Sequence, residues 1–156
     1  MLRQATEKDI ARISEIIVFT KRTTYRDIFK NDEVSFNVIQ VLSEAEKLKK
    51  TGELDNIYVY DDGIVKGMIY AFFNESEIEL NEFYVDPFFQ REGIGSYILN
   101  SLISKAKKLK KPVELWVLEE NAYARAYYEK FGFKYMNIRK EFETTGHYIL
   151  RYRLDV

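Results

Sequence analysis

A cluster of special residues interrupts the chain between two apolar segments. The stretch VDPFFQREGIGSYIL, Val85 to Leu99, contains Pro87, Gly93 and Gly95, although the chain of 156 residues has only seven glycines and two prolines. Glycine loses much conformational entropy on folding, so such a cluster indicates a specific demand on the backbone. A loop of this kind before a helix N-terminus presents free N–H groups, which bind anions such as phosphate. The spacing therefore predicts an anion site between a strand and a helix.

Two common phosphate-binding patterns do not fit this loop. A Walker A loop ends in Gly-Lys-Ser/Thr, whereas Gly95 is followed by Ser96 and Tyr97. A dinucleotide-binding fingerprint needs a third glycine three residues after Gly95, where this chain has Ile98. Both patterns are therefore set aside.

Composition limits the remaining functions. The chain has 24 basic and 25 acidic side chains, no cysteine and one histidine, His147. A net charge of −1 gives no overall attraction to nucleic acid or to an anionic membrane. The lack of cysteine excludes disulfides and a thiolate nucleophile, and one histidine argues against a zinc site. The segment MLRQATEKDI lacks the apolar core of a signal peptide, and no run approaches the ~18 apolar residues of a membrane helix. We expect a single cytoplasmic domain over residues 1–156.

The N-terminal third is expected to be helical apart from its first strand. After the strand LRQA, Thr6 and Asp9 resemble a capping box, and isoleucines at helical spacing follow from Ile10. The polar and aromatic segment TKRTTYRDIFKNDE has no clean period, which leaves a loop or the entrance to a site. Apolar residues at helical spacing from about Asp32 predict a second helix that ends at Gly52.

The rest of the chain alternates between strands and helices. NIYVY and IVKGMIYAFF predict a hairpin around the turn DDG, and IELNEFYV predicts the strand that leads into the glycine loop. An amphipathic helix, the strand VELWVL, the helix NAYARAYYEKF and a closing pair of strands follow. Because a helix separates VELWVL from IELNEFYV, these two strands are expected to be parallel. We predict an α/β (α+β) fold with a mixed, mostly antiparallel sheet of six to seven strands and about four helices.

Two motifs carry a resemblance to a known family. Gln90, Gly93 and Gly95 match the pattern Gln/Arg-x-x-Gly-x-Gly/Ala, and about thirty residues later NAYARAYYEKFGF matches Asn-x-x-Ala-x-x-Phe/Tyr-Tyr-x-x-x-Gly-Phe. With these motifs the chain resembles the GNAT superfamily of acetyl-CoA-dependent N-acetyltransferases. The order of elements agrees over essentially the whole chain, whereas the N-terminal helices match only in architecture.

The resemblance implies acetyl-CoA as cosubstrate and no metal. The family's pyrophosphate loop binds through backbone N–H groups, which here belong to Arg91, Gly93, Ile94, Gly95 and Ser96. The pantetheine arm inserts beside the preceding strand as a pseudo-strand and pairs with backbone groups, which here belong to Phe83, Tyr84 and Val85. Asn121 would hydrogen-bond the cofactor, although asparagine is also a favoured helix N-cap.

The resemblance also suggests catalytic groups. Tyr128 occupies the family's general-acid position, while its neighbour Tyr127 is expected to pack in the core. Glu79 and Glu82 lie on the strand before the loop and are both candidates for the base that deprotonates an amine. Their odd spacing places them on opposite faces of a regular strand, so the choice between them stays open.

The acceptor is the least determined part of the sequence interpretation. LNEFYV and TTYRDIF resemble segments of family members that acetylate polyamines and other small amines, and Asp27, Asp32 and Glu33 add negative charge. Protein N-termini or lysines are the alternative acceptors. A noncatalytic acyl-CoA-binding sensor would need the same loop but neither an acid nor a base. Dimers are common in the family, so a homodimer is one expected assembly.

Three features have structural interpretations. The lysine run Lys105 to Lys111 reads as the exposed face of a helix, because nucleic-acid binding would need a basic stripe that the rest of the sequence lacks. His147 has no visible partner. Trp116 is expected in the core or in a wall beside the cofactor.

Overall fold

The computed structural model describes residues 1–30 and 40–156, and its strands form one mixed sheet. The strands are β1 (Leu2–Gln4), β2 (Ile57–Asp61), β3 (Val65–Phe73), β4 (Ile78–Val85), β5 (Val113–Leu118), β6 (Lys134–Glu141) and β7 (Tyr148–Leu154). The α-helices within the described residues are α1 (Ile10–Phe29), α2 (Val41–Thr51), α3 (Ile94–Leu109) and α4 (Ala122–Lys130). The strand order is β1-β2-β3-β4-β5-β7-β6. Strands β4 and β5 are parallel, whereas β1–β2, β2–β3, β5–β7 and β6–β7 are antiparallel. The predicted fold class is confirmed.

The chain divides by its internal contacts into two compact units. The first unit contains Met1–Ala71 and Glu82–Ser101, and the second contains Phe72–Asn81 and Leu102–Val156. Each unit has its own buried apolar side chains. Those of the first include Ile13, Ile16, Ile17, Ile57, Met68, Ile98 and Leu99. Those of the second include Ile78, Val113, Leu115, Phe133, Leu150 and Tyr152.

The predicted hairpin is present between β2 and β3. The backbone N–H of Gly63 donates to the Asp61 side chain over 2.9 Å, and Gly63 has a φ of +112°. This left-handed conformation explains why the turn contains glycine. At the start of the chain, the Asp9 carboxylate accepts a 2.8 Å hydrogen bond from the backbone N–H of Thr6, as the capping-box pattern predicted.

Helix α1 is longer than its sequence period indicated. The segment after Phe19, interpreted as a loop or a site entrance, continues the helix to Phe29. The helix ends at Lys30, which has a φ of +50° and donates its backbone N–H to Arg26 O over 3.0 Å. The apolar period is lost on this half, where Lys21 makes an ion pair with Glu82. The second predicted helix ends at Gly52 as expected, with a φ of +65°, whereas its predicted start at Asp32 lies outside the described residues.

Strand β4 leads directly to the glycine loop. It pairs in parallel with β5, with Ile78 opposite Val113, Glu79 opposite Glu114 and Leu80 opposite Leu115. The strand itself continues to Val85, five residues beyond Leu80. This extension carries Glu82 and the loop-proximal backbone that the sequence assigned to a cofactor.

Two residues assigned structural roles make polar or cationic contacts. The Nδ1 atom of His147 lies 2.8 Å from Glu120 Oε1, which corrects the expectation that this histidine has no partner. The half-buried ring of Trp116 is flanked by Lys140 Nζ at 4.2 Å and by Arg151 at 5.2 Å from its centroid. Among the described residues, no helix is both long and apolar enough to cross a membrane. The same residues contain no group of three or more aspartate, glutamate or histidine side chains that could hold a metal ion.

Candidate active site

The loop after β4 begins with a buried carboxylate. Asp86 is 2% exposed, and its Oδ1 accepts a 2.8 Å hydrogen bond from the backbone N–H of Phe88. Its Oδ2 pairs with the guanidinium of Arg12 in α1. The backbone N–H of Asp86 donates to Lys66 O over 2.9 Å. These contacts fix the start of the loop to both α1 and β3. Pro87 follows at the first position of a short 3-10 turn, where its missing N–H costs nothing.

The glycine loop turns through two left-handed residues before α3. Arg91 has a φ of +66° and Gly93 a φ of +83°. The backbone N–H of Tyr97 donates to Gly93 O over 3.0 Å and is the first to make an i to i−4 bond in this helix. The geometry of a helix start therefore leaves the amides of Ile94, Gly95 and Ser96 without an acceptor inside the helix. Together with the helix dipole they form an electropositive, donor-rich helix start.

Gly93 is required by backbone conformation and not by crowding. A Cβ atom added at Gly93 would have no atom of its surroundings within 4 Å. By contrast, a Cβ at Gly67 would lie 3.0 Å from Ile98 Cδ1 and 3.1 Å from Tyr84 O. The two glycines therefore serve different purposes, since one shapes the loop and the other allows β3 to pack against its neighbours.

The side chain of Gln90 forms a hydrogen bond between the loop and the end of β4. Its Nε2 donates to Val85 O over 3.2 Å, so the carbonyl assigned to the pantetheine arm has an intramolecular donor in this structure. Gln90 and Arg91 are exposed, whereas Phe83 and Tyr84 are half-buried on β4. The glutamine of the family motif thus has a structural use in ordering the loop.

Glu82 on β4 is paired with a lysine from α1. Lys21 Nζ lies 2.7 Å from Glu82 Oε1, and each side chain is 18% exposed. Burial acts to lower the pKa of Lys21, but the opposing effect of Glu82, with Tyr25 and Glu44, raises it overall. The ammonium therefore stays charged, and Glu82 faces a cation inside the first unit.

More acidic and phenolic groups surround this pair. Tyr70 on β3 is buried, and desolvation together with the charges of Glu53 and Glu82 raises its pKa to about 12. The Oε2 atom of Glu53 is buried and has no hydrogen-bond partner among the described residues. The Glu44 side chain is 16% exposed and lies 3.7 Å from Lys47 Nζ. The surroundings of Lys21 are thus rich in negative charge.

Glu79 lies in the second unit, in register with Glu114 on β5. Glu114 is buried and forms ion pairs with Arg151 and, at 2.8 Å, with Arg153. Glu79 itself is half-buried. That Glu79 and Glu82 lie on opposite faces of β4, as their odd spacing indicates for a regular strand, stays a prediction.

Tyr128 packs within an aromatic cluster on α4. Its ring centroid lies 5.9 Å from that of Tyr127 and 5.6 Å from that of Phe133. Burial, with a smaller contribution from Tyr127, raises the pKa of Tyr128 well above the usual value of tyrosine. The phenol consequently remains protonated at neutral pH. It can donate a hydrogen bond, and the apolar surroundings disfavour the phenolate.

Asn121 caps α4. Its Oδ1 accepts a 3.1 Å hydrogen bond from the backbone N–H of Ala124, which is the N-cap role that the sequence left open. The Nδ2 group of the same side chain is a donor that a ligand could use, so capping and cofactor binding are compatible.

Sequence reasoning missed several groups around the candidate site. Arg12, Lys21, Glu53 and Tyr70 were not singled out, because their positions are decided by contacts between elements distant in the chain. Asp86 had a local signal, since an aspartate directly before a proline is typical of a helix N-cap. Asp27 lies exposed on α1, while the predicted Asp32 and Glu33 lie outside the described residues.

Comparison with known proteins agrees with this geometry. The model of the acetyltransferase (GNAT) family matches residues 22–133. An uncharacterized N-acetyltransferase of Methanocaldococcus jannaschii is 41% identical over 63 residues, which are 40% of this chain but 28% of that protein. This chain thus matches less than a third of the length of that curated relative.

Solved structures share the fold at low identity. An N-acetyltransferase of Staphylococcus aureus Mu50 superposes with a TM-score of 0.78 at 15% identity, covering 99% of this chain and 100% of the other. The PaiA N-acetyltransferase of Thermoplasma acidophilum, in complex with coenzyme A, gives a TM-score of 0.77 at 19% identity, covering 97% and 96%. The family match covers most of the chain, and the chain therefore belongs to the acetyltransferase (GNAT) family.

Proposed function

We propose that this chain is an acetyl-CoA-dependent N-acetyltransferase that moves the acetyl group directly to a primary amine. The observation that carries the proposal is the loop in which left-handed Arg91 and Gly93 lead into the start of α3. The proposal takes residues 1–156 as one catalytic domain, since the family match includes parts of both compact units.

The described residues fit CoA binding at this loop. Three amides at the start of α3 have no acceptor within the helix, and the space beside Gly93 would hold even a Cβ without contact. We assign the pyrophosphate to the amides of Arg91, Gly93, Ile94, Gly95 and Ser96, with Gln90 ordering the loop. The Arg91 side chain adds positive charge. Phe83, Tyr84 and Val85 are assigned to the pantetheine arm, supported by the extension of β4 beyond its register with β5. Asn121 Nδ2 is assigned a further hydrogen bond to the cofactor.

The chemistry needs a proton acceptor and a proton donor. Acetyl-CoA supplies the activated acetyl group as a thioester. We assign Glu82 as the group that accepts the proton of the acceptor ammonium, because its carboxylate already binds an ammonium, that of Lys21. Glu79 is the alternative base, although Glu82 has the more direct support. Tyr128 is assigned as the donor to the departing sulfur, and its raised pKa ensures that its proton is present at neutral pH.

We propose a polyamine or another small amine as acceptor. The support is the negative charge around Lys21 and Tyr70, because Glu44 and Glu82 act on Lys21, and Glu53 and Glu82 act on Tyr70. A cationic amine gains from such surroundings. Protein N-termini and lysines remain the alternative acceptors, and a sensor that binds acyl-CoA without turnover is the alternative from another class.

The decisive experiment measures CoA thiol release from acetyl-CoA across polyamines, small monoamines and short peptides. Turnover on one class of acceptor that falls sharply in Tyr128→Phe, but not in the matched variant Tyr127→Phe, supports the proposal and selects the acceptor. Calorimetry on the same preparation measures CoA binding. Binding without turnover on any acceptor would favour the sensor, and a failure to bind CoA would contradict both functions.

A further inference from the structure

The ammonium group of Lys21 is largely buried, which is unusual for a lysine. Lys21 lies in the middle of α1, its side chain is 18% exposed, and Nζ approaches Glu82 Oε1 to 2.7 Å. The ammonium also lies 6.0 Å from the ring centroid of Tyr84, two residues further along the same face of β4. Burying a lysine costs free energy unless a partner compensates, and here Glu82 is that partner.

The ion pair restrains the carboxylate of Glu82. A glutamate side chain has three rotatable bonds, so an unrestrained carboxylate samples many positions above the strand. A charge-assisted hydrogen bond to Oε1 removes much of this freedom, and Oε2 is not the acceptor of this bond. A general base must be held close to its productive position, so this restraint bears on catalysis.

We propose that Lys21 is a positioning residue that holds Glu82 Oε1, so that Oε2 receives the proton of the acceptor amine. This inference rests on the proposed function, in which Glu82 is the base. In the step itself, the acceptor ammonium gives one proton to Oε2, and its nitrogen forms a bond to the acetyl carbon. The carbon–sulfur bond breaks, the departing thiolate takes the proton of Tyr128, and the nitrogen, which still carries one proton more than the amide, releases it to water. Water then returns both side chains to their starting protonation states.

The surroundings predict how loss of Lys21 would affect Glu82. The groups that interact with the ammonium are Glu82, Tyr25 of α1, Glu44 of α2 and the ring of Tyr84 on β4. Once the ammonium is removed, the Glu82 carboxylate loses its hydrogen bond to Nζ and keeps the like charge of Glu44 in its surroundings. The carboxylate should therefore leave the position that Lys21 gives it.

The test compares Lys21→Met with Lys21→Arg, and uses Lys50→Met as the control. Lys50 is exposed on α2 and contacts Glu46 at only 4.0 Å, so its variant changes net charge equally without touching Glu82. We expect Lys21→Met to lower kcat about 10-fold to 100-fold with a smaller change in KM. Lys21→Arg should recover most of kcat, and Lys50→Met should match the parent chain.

A second readout does not depend on turnover. The Glu82 carboxyl carbon, assigned in ¹³C NMR spectra by its absence in Glu82→Gln, should change its chemical shift in Lys21→Met, because the hydrogen bond from Nζ is lost, and keep it in Lys50→Met. Circular dichroism establishes that each variant is folded.

The outcomes separate this inference from the proposed function. If Glu82→Gln is impaired while Lys21→Met keeps the parent kcat, the positioning role is wrong and the proposed function stands. If Glu82→Gln keeps full activity, Glu82 is not the base and the positioning role falls with it. If the parent chain acetylates no acceptor, both are overturned, whatever the NMR spectra show about the ion pair.

Discussion

The ion pair between the Asp86 carboxylate and the Arg12 guanidinium joins the start of the glycine loop to the first turn of α1. Asp86 is buried at the end of β4, and Arg12 reaches it while also donating through Nε to Val65 O over 3.0 Å. One arginine thus links α1, β3 and the loop. The anion-binding geometry therefore depends on a contact made by a helix that lies more than seventy residues earlier in the chain.

Removing Arg12 should destabilise the first unit. Arg12→Met leaves the Asp86 carboxylate buried with fewer partners, and loss of one member of a buried pair costs about 3 kcal/mol. Urea denaturation measures this difference. The control is Glu15→Gln, which removes the exposed partner of the same arginine and should change the free energy of unfolding by less than about 0.5 kcal/mol. Equal effects of the two variants would contradict a special role for the Arg12–Asp86 contact.

Gly93→Ala should weaken CoA binding, because alanine disfavours the left-handed backbone conformation of this position. A φ of +83° costs an alanine about 1–2 kcal/mol, although its Cβ would meet no neighbour. We expect CoA affinity, measured by calorimetry, to fall about tenfold as the loop relaxes. Gly63→Ala is the matched control, since Gly63 also has a positive φ and open surroundings but lies in the hairpin turn. It should lose stability and keep CoA affinity, and a loss of affinity there would count against the loop assignment.

Tyr128→Phe should lower kcat about 100-fold and leave CoA affinity unchanged, because a proton donor to the sulfur acts only during the reaction. The raised pKa of Tyr128 keeps its acid form present at and above pH 10. Pre-steady-state rates of the parent chain should therefore show no alkaline decline due to this group between pH 7 and about 10. An alkaline limb in that range that disappears in Tyr128→Phe would show that the phenol ionises more easily than its burial implies.

Lowering the pH should remove the contribution that the ionised Asp9 carboxylate makes to the free energy of unfolding. The hydrogen bond from Arg3 is the main cause that lowers the pKa of Asp9 to about 2, against the 3.8 of an ordinary aspartate. Because the folded-state pKa is depressed, the contribution is complete above about pH 5 and is lost as the pH falls towards 2.

Urea denaturation of the parent chain and Asp9→Asn tests this expectation. The two should differ by about 2 kcal/mol at pH 7 and converge near pH 2. Asp27→Asn, at an exposed position of α1, serves as the control and should follow the parent chain at both pH values. A difference for Asp9→Asn that stays constant with pH would mean that packing, and not the charge, is what the substitution removes.

The sequence by itself determined the parts of this protein that depend on local chemistry. Glycine at Gly93 and Gly63 marks positive φ angles, apolar residues at helical spacing predicted α3, and alternating apolar residues predicted β7. The family motifs around Gln90 and Tyr128 indicated the family, which the family match confirms. Such features can be predicted because a backbone conformation or a helix face depends on residues near one another in the chain.

Only the tertiary structure decided which polar side chains meet. In the second half of α1, where the apolar period is lost, Lys21 pairs with Glu82 on β4, and in the first turn Arg12 pairs with Asp86. Neither pairing leaves a periodic signal, since an ion pair between distant segments needs one suitable residue on each and no pattern around it. The sequence placed Glu79 and Glu82 on opposite faces, but only the fold gave Glu82 a cationic partner. The physical reason is that side-chain electrostatics depend on distances in space, which local sequence does not specify.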